Sequence, residues 1–319
     1  MPEKLANSAA PVLLMQAVAK SYGSVEVLRG VDLTVTQGSI HGLVGLNGSG
    51  KTTTLDCLLG LSAINAGKIE ILGLPPARLH ETEGAVVAVF DTPSLHSQLT
   101  VRQTLQHAAA LCPSPSRSVD ELMTLLSLSR YGNYKLSKLS LGNRRRVSIA
   151  HALVGNPSLV LLDEPFNGLD AGGVDEVLAL IQRLNRDHGM SFLLSSHQLP
   201  YLQSICTHLS ILHGGRILAS DSLDALLAGS QSILTVTTPN LTAAREILGS
   251  RTDLQIRADS SATHLRLTLE GATPAEINRL LVTSGIEVQA LVTEQASIES
   301  LFRKLTGASA DQPAVERAA

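Results

Sequence analysis

The sequence contains no tryptophan, and aromatic residues make up only 3% of it. Proteins that bind single-stranded nucleic acid stack the bases on aromatic side chains, and proteins that bind duplexes present a basic surface. This chain has few aromatic rings and a formal net charge of −3. We therefore expect no nucleic-acid partner.

Cysteine is also scarce. Cys57, Cys112 and Cys206 lie far apart and form no Cys-x-x-Cys pair. An odd number of widely spaced cysteines argues against a disulfide framework, and the lack of close pairs argues against a zinc site. We expect three reduced thiols in a cytosolic protein.

Long hydrophobic runs are absent, although 44% of the residues are hydrophobic and only 17% are charged. A membrane-spanning helix needs about 20 consecutive apolar residues. The longest stretch without Asp, Glu, Lys or Arg, residues 188–215, is interrupted by serine, histidine, glutamine and proline. The sequence therefore predicts no spanning helix. Residues 1–10 lack the apolar core of a signal peptide and are expected to form a flexible tail.

From residue 11 to residue 228, strand patterns alternate with helical patterns, which is typical of an α/β domain with a largely parallel sheet. Continuous apolar runs predict strands that are buried on both faces, namely Val86–Phe90, Leu159–Leu162 and Phe192–Leu194. Further strand signals lie at Val12–Met15, Val31–Val35, Ile40–Val44 and Ile69–Ile71. Apolar spacing predicts helices at Thr52–Leu61, Arg144–Leu153 and Val174–Asp187.

The pattern changes after Gly229, where the order of predicted elements becomes β-α-β-β-α-β followed by a helix. The expected segments are Ile233–Thr237, Thr242–Leu248, Leu254–Arg257, His264–Leu269, Pro274–Thr283, Ile286–Val292 and Ile298–Leu305. This order predicts a small α+β domain of the split βαβ type at residues 229–308. Residues 309–319 are expected to be disordered.

A glycine-rich segment follows the predicted strand Ile40–Val44. It reads Gly45-Leu46-Asn47-Gly48-Ser49-Gly50-Lys51-Thr52-Thr53 and matches the pattern G-x-x-x-x-G-K-[ST]. Glycines let backbone N–H groups surround a phosphate, and the N-terminus of the following helix adds positive potential. Lys51 would contact the β- and γ-phosphates, and Thr52 would bind Mg²⁺. The segment predicts a site for a nucleoside triphosphate.

Two acids, Asp163 and Glu164, follow the predicted buried strand Leu159–Leu162. Because ligands bind at the carboxyl ends of parallel strands, we expect both acids to lie beside the phosphate loop. Asp163 would hold Mg²⁺, and Glu164 would act as the general base that polarises the attacking water. His197 follows the next buried strand and could contact the γ-phosphate. The alternative for His197 is a hydrogen-bonded loop histidine without a chemical role.

Between the phosphate loop and the acids lies Leu139-Ser140-Leu141-Gly142-Asn143, followed by Arg144-Arg145-Arg146. Taken alone, this segment predicts a turn, a helix cap and a solvated basic face. In sequence with the phosphate loop, the acid pair, Asn167-Gly168-Leu169-Asp170 and His197, however, it resembles the signature of an ABC transporter ATPase subunit. The resemblance covers roughly residues 12–228.

The resemblance implies a P-loop NTPase core of the ABC ATPase type, with a helical subdomain at about residues 92–155. It also implies that two subunits enclose two ATP molecules head to tail, with Lys51, Glu164 and His197 as catalytic residues. The signature of one subunit would act at the ATP of the other, through Ser140, Leu141, Gly142 and Asn143. Asp170 would signal between the two sites, and Tyr22 would stack on adenine. The expected cofactors are ATP and Mg²⁺.

Two features depart from the common family pattern. Leu141 and Asn143 replace the third and fifth residues of Leu-Ser-Gly-Gly-Gln, while Ser140 and Gly142 remain. Asp91 stands where a glutamine normally contacts Mg²⁺, and an acid before Thr-Pro resembles the bacitracin-resistance and lantibiotic-immunity exporters. Asp91 is therefore a candidate third metal ligand, although a carboxylate there brings negative charge near the γ-phosphate.

Two classes of function remain open at this point. In the first, the chain is the ATPase of an antibiotic, peptide or drug exporter, acting as a homodimer under a separate membrane permease on the inner face of the cell membrane. In the second, it is a soluble ABC-type ATPase in assembly or repair. The C-terminal domain is expected to regulate or support the dimer, or to be a packing extension.

Overall fold

The computed structural model describes residues 11–92, 95–228, 233–257, 263–294 and 297–307. The chain divides into two compact units, one that ends at Leu223 and one that begins at Asp224. The tails predicted at residues 1–10 and 309–319 lie outside the described residues. Within the described residues, no helix combines the length and the apolar character that crossing a membrane requires.

The first unit contains nine strands, six α-helices and three 3₁₀-helices in the residues described. The strands are β1 Pro11–Tyr22, β2 Val25–Thr36, β3 Ile40–Val44, β4 Ala66–Ile71, β5 Val86–Val89, β6 Leu159–Asp163, β7 Ser191–Ser196, β8 His208–His213 and β9 Arg216–Ser222. The α-helices are α1 Lys51–Leu58, α2 Val101–Leu111, α3 Val119–Leu125, α4 Leu141–Ala152, α5 Ala171–His188 and α6 Leu199–Ile205. The 3₁₀-helices are Pro76–Thr82, Ser129–Tyr131 and Leu136–Lys138.

A six-stranded sheet with the order β5-β6-β7-β3-β8-β9 forms the centre of this unit. Its strands run parallel except β9, which pairs antiparallel with β8. β3 pairs with β7, and β7 pairs with β6. The carboxyl ends of β3, β6 and β7 therefore meet at one edge of the sheet. The predicted α/β fold with a largely parallel sheet is confirmed.

A separate antiparallel sheet has the order β2-β1-β4. β1 and β2 are 12 residues long, much longer than the predicted segments. Their pairing shifts register between Met15 and Val18, and Ala17 has a φ of 47°. Irregular pairing and exposed polar positions break the apolar alternation on which strand prediction depends. The sequence also did not predict β8, because its apolar run is short: histidines lie at both ends of the strand, and the buried Ser210 interrupts its apolar residues.

The edge strand β5 corrects one prediction. Val86–Phe90 was expected to be buried on both faces, but β5 lies at one end of the sheet and only Val89 among its residues is buried. Phe90 lies beyond the strand and is 36% exposed. An apolar run cannot show whether a strand has neighbours on both sides. By contrast, the interior strands β6 and β7 are buried along their whole length.

Side-chain caps set the helix boundaries. α4 begins at Leu141 rather than at the predicted Arg144, because the Ser140 hydroxyl accepts a hydrogen bond from the Asn143 N–H at 3.3 Å. α1 ends at Leu58, earlier than the predicted Leu61. Capping boxes formed by the N-cap residues Thr100 and Ser118 precede α2 and α3.

The second unit contains α7 Leu223–Ala228 at its boundary, β10 Ile233–Thr237, α8 Leu241–Gly249, β11 Leu254–Ile256, β12 His264–Leu269, α9 Pro274–Thr283, β13 Ala290–Glu294 and α10 Ile298–Thr306. Its antiparallel sheet has the order β11-β12-β10-β13, so β12 lies between β10 and β11. This is the predicted split βαβ arrangement. One expectation is wrong: β13 begins at Ala290 rather than Ile286, since Ile286 packs into the core of this unit.

Candidate nucleotide-binding site

The phosphate loop connects the fully buried strand β3 to α1. Gly48 and Gly50 have φ values of 79° and 108°, in the region that favours glycine. At Gly45, close neighbouring atoms rather than the backbone conformation exclude a larger residue. A Cβ there would lie 2.3 Å from the Ser49 hydroxyl and 2.6 Å from the Leu212 carbonyl oxygen. The loop therefore needs glycine at these positions in order to turn back tightly toward α1.

Lys51 lies over this loop, with only 6% of the residue exposed. Its ammonium group donates hydrogen bonds to the carbonyl oxygens of Gly45 at 2.8 Å and Leu46 at 3.3 Å. It also forms an ion pair with Glu164 at 3.2 Å. The geometry fixes a positive charge inside the loop, next to the second predicted acid.

Asp163 ends β6 beside the first turn of α1. Its Oδ2 accepts a hydrogen bond from the Thr52 hydroxyl at 3.5 Å, and its Oδ1 accepts one from the Ser195 hydroxyl. Burial raises the pKa of Asp163, while the Ser195 hydrogen bond lowers it and the nearby charges of Glu164 and Asp91 raise it further. Sequence reasoning missed Ser195, although it directly follows the apolar part of β7.

Thr52 and Asp163 fit a Mg²⁺ ion chemically. Both offer hard oxygen donors, and Mg²⁺ is usually bound by one or two carboxylates together with substrate phosphates. In the described part of the chain, no group of three or more His, Cys, Asp or Glu side chains is arranged to hold a metal ion. A magnesium site here would thus depend on the phosphates of its nucleotide.

Glu164 is oriented by the end of β7. Its Oε2 accepts a hydrogen bond from the Ser196 hydroxyl at 3.1 Å, and its Oε1 lies 3.0 Å from His197 Nδ1. The backbone of Glu164 has a φ of 44°, which is unusual for a residue with a side chain, and its N–H donates to the Ser195 carbonyl at 3.0 Å. The structure thus brings together Lys51, Glu164 and His197, as the sequence predicted.

Asp91 follows β5 and has different partners from those expected of a metal ligand. Its carboxylate forms an ion pair with Arg145 at 3.1 Å and accepts hydrogen bonds from the Asn167 amide at 3.3 and 3.4 Å. Its role as a third metal ligand remains a prediction. Sequence reasoning missed both partners, because nothing in the sequence shows that α4 packs beside this loop.

The arginine run on α4 is not the solvated basic face that the segment predicts when it is taken alone. Arg145 and Arg146 are buried. Arg146 donates to Asn143 Oδ1 at 2.6 Å and pairs with Glu176 at 3.0 Å. Burial lowers the pKa of Arg145, and the neighbouring Asp91 raises it. The two side chains therefore hold the helical segment in place rather than facing solvent.

The signature residues lie at the N-terminus of α4. Ser140 is exposed, and Leu141 packs so closely on Gly168 that a Cβ there would lie 2.7 Å from the Leu141 side chain. In the described residues, no hydrogen bond or ion pair joins the segment 139–143 to the phosphate loop of the same chain. Asp170 is the N-cap of α5, where its carboxylate accepts a hydrogen bond from the Gly173 N–H at 2.9 Å.

Tyr22 lies at the end of β1 with 49% of its surface exposed. Its hydroxyl lies 3.2 Å from the Ser62 hydroxyl, and the Lys20 ammonium lies 4.6 Å from the ring centroid. The ring is thus held at its hydroxyl end while much of its surface stays accessible. Its predicted contact with adenine remains a prediction.

Comparison with known proteins gives consistent matches. The family model described as ABC transporter matches residues 28–167. The bacitracin transport ATP-binding protein BcrA of Bacillus licheniformis is 30% identical over 292 residues, which are 91% of this chain and 95% of that protein. The daunorubicin resistance ATP-binding protein DrrA2 of Streptomyces coeruleorubidus is 29% identical over 315 residues, 95% of this chain and 98% of that protein.

A solved structure supports the fold. A dimeric ATP-binding cassette in a post-hydrolysis state, bound to ADP and Pi, matches with a TM-score of 0.59 and 23% identity, over 66% of this chain and 98% of that chain. The two relatives match nearly the whole chain, and the described geometry joins a phosphate loop to an acid pair at one sheet edge. The chain therefore belongs to the ABC transporter family and is one of its ATP-binding, ATP-hydrolysing subunits.

Proposed function

We propose that this chain powers the export of antibiotic, peptide or drug-like molecules, as a homodimer that acts on a separate membrane permease. One observation carries the proposal: the groups needed at the phosphate occur in two separate places. Lys51, Asp163 and Glu164 meet at the sheet edge, whereas Ser140 lies exposed at the start of α4. A second copy of the chain would bring its own Ser140 to the phosphate.

Hydrolysis at this site would proceed through groups that the fold already orients. The N–H groups of the phosphate loop and Lys51 bind the phosphates. Glu164, held by Ser196 and His197, takes a proton from the water that attacks the γ-phosphorus. Mg²⁺ bound by Thr52 and Asp163 would neutralise part of the phosphate charge. The exposed His197 would donate a hydrogen bond to a γ-phosphate oxygen.

Export is supported by the relatives. The similar proteins from Bacillus licheniformis and Streptomyces coeruleorubidus are named for bacitracin transport and daunorubicin resistance. Asp91, an acid after β5, was the residue through which the sequence resembled bacitracin-resistance exporters. We accordingly propose a location on the inner face of the membrane through the permease, with the second unit regulating or supporting the dimer.

Dimerisation is tested with the variant Glu164→Gln. The substitution keeps the size of the side chain but removes the general base, so ATP should bind without being hydrolysed. We expect gel filtration of full-length Glu164→Gln to show a dimer in the presence of ATP and Mg²⁺ and a monomer in the presence of ADP. The exposed Glu83→Gln is the matched control and should behave as wild type. A Glu164→Gln chain that binds ATP but stays monomeric would refute the proposed ATP-bound homodimer.

The permease is tested by purifying the tagged full chain from detergent-solubilised membranes of its own source. Co-purification of a polytopic membrane protein, whose reconstitution with the chain gives ATP-dependent efflux, supports export. ATP-dependent uptake through the same pair would reverse the proposed direction. Recovery of soluble partners alone would favour the other class of function, a soluble ABC-type ATPase in assembly or repair.

A further inference from the structure

Arg145 is a buried cation that the hydrolysis scheme above does not use. Only 1% of its side chain is exposed. Its Nη1 donates to the Phe90 carbonyl oxygen at 2.7 Å, and its Nη2 donates to the Asp91 carboxylate at 3.1 Å and to the Glu164 carbonyl oxygen at 3.4 Å. One guanidinium therefore connects α4, the segment after β5 and the backbone of the proposed general base.

The charge of Asp91 needs a counterion at this place. Asp163 and Glu164 already supply two carboxylates at the sheet edge, and Lys51 is paired with Glu164. The charge of Asp91 reaches this group, since it contributes to the electrostatic environment of Asp163. A bound ATP adds several negative charges, so an unbalanced third carboxylate would oppose its binding.

The Asp91 side chain is 41% exposed, whereas its cationic partner is almost completely buried. A buried guanidinium cannot turn out to solvent without leaving its carbonyl partners, so it is the fixed member of the pair. The carboxylate is the member that it holds. The Asn167 amide completes the arrangement by donating to the same carboxylate at 3.3 Å.

We propose that Arg145 is a positioning residue that anchors Asp91 and balances its charge, so that this acid can stand at the ATP site without weakening the binding of the γ-phosphate. The inference rests on the ATP site described above. It assigns to Arg145 an effect on the preference for ATP over ADP, because ATP carries the additional charged phosphate. A purely structural arginine would not change that preference.

The test is a charge cycle at the two residues, made in the full-length protein. Dissociation constants for ATP and ADP are measured by isothermal titration calorimetry in the variants Arg145→Gln, Asp91→Asn and the double variant. Arg117→Gln is the matched control, because Arg117 also donates to two carbonyl oxygens, of Leu153 and Gly155, but makes no hydrogen bond or ion pair with Asp91, Asp163 or Glu164 within the described residues. Thermal unfolding of each variant records effects on the fold.

Arg145→Gln leaves Asp91 unbalanced and should lower the preference for ATP over ADP by about five- to tenfold, the order expected for one like charge near a phosphate. Asp91→Asn leaves the guanidinium in excess and should raise the preference severalfold. The double variant restores the net charge and should return close to wild type. Arg117→Gln should leave the preference unchanged.

Two outcomes would overturn the inference. In one, Arg145→Gln and Asp91→Asn lower the melting temperature but leave the preference for ATP unchanged, so that the pair serves only the fold. In the other, Asp91→Asn weakens ATP binding in Mg²⁺ but not in EDTA, so that Asp91 acts as a metal ligand instead. If Arg145→Gln does not fold, Asp91→Asn alone decides between these results. Wild-type ATP binding and the Glu164→Gln dimer test the proposed function separately.

Discussion

The buried histidine of the phosphate-loop strand gives a quantitative prediction about acid stability. His41 lies in β3, is 2% exposed, and its Nε2 is 2.8 Å from the Ser210 hydroxyl. Its ring stacks on that of His208, with centroids 6.1 Å apart. Burial, and to a smaller extent the charge of His208, lowers the pKa of His41 to about 3 from 6.5.

The sign of the effect follows from proton binding. The unfolded chain takes up a proton at His41 below about pH 6.5, whereas the folded chain resists it down to about pH 3. The contribution of His41 to stability is therefore present above pH 6.5 and is lost as the pH falls toward 3. Linkage gives a loss of about 2 kcal/mol between pH 7 and pH 5. For a unit of this size, that corresponds to a decrease in melting temperature of roughly 4–8 °C.

The measurement compares thermal unfolding at pH 7 and pH 5 for the wild type, His41→Gln and the control His188→Gln. Glutamine can keep a hydrogen bond to Ser210 but does not titrate, so His41→Gln should lose most of this pH dependence. His188 is exposed at the end of α5, and its replacement should leave the dependence intact. Equal pH dependence in wild type and His41→Gln would refute the reasoning. If His41→Gln does not fold, the C2-hydrogen exchange rate of His41 against pH reports its pKa directly.

Two further predictions concern the nucleotide. Gly45→Ala should raise the dissociation constant for ATP at least about tenfold, because the new Cβ would lie 2.6 Å from the fixed Leu212 carbonyl oxygen, and overpacking of this kind typically costs about 1–3 kcal/mol. Equilibrium binding of fluorescent ATP measures the dissociation constant, with Gly172→Ala as the control at an open position. An unchanged affinity would contradict the assignment of residues 45–52 as the phosphate loop. Tyr22→Ala should weaken ATP binding by about 1–3 kcal/mol through the loss of one base stack, while Tyr22→Phe should bind ATP nearly as the wild type does. Equal affinity of all three proteins for ATP would show that Tyr22 does not contact the adenine.

Much of the site could be predicted because its functional residues lie in short contiguous segments of the sequence. The glycines of 45–50 and the adjacent Lys51 are contiguous, and the acid pair directly follows an apolar strand. Strand continuity and the rule that parallel strands present their carboxyl ends together were enough to predict that Glu164 and His197 approach the phosphate loop. The split βαβ order of the second unit could be predicted for the same reason, since each strand and helix shows its own periodicity of hydrophobic residues.

The sequence could not predict burial where it depends on packing against segments that are distant in sequence. Val86–Phe90 has the apolar composition of an interior strand, but among the described strands β5 pairs only with β6, at one end of the sheet. The arginine run has the composition of a solvated face, and only the packing of α4 buries Arg145. In both cases the burial of the segment depends on the elements that pack against it, and the local pattern does not show these.

By itself, the sequence determined the fold class, the phosphate loop and the identity of the acids, because backbone turns and strand ends follow from contiguous residues. Only the tertiary structure decided which charges meet. It paired Asp91 with Arg145, 54 residues away, and placed Ser195 on Asp163 and Ser196 on Glu164. The physical reason is that the energy of a charge depends on its distance from other charges and on its burial, and both are properties of the packed chain.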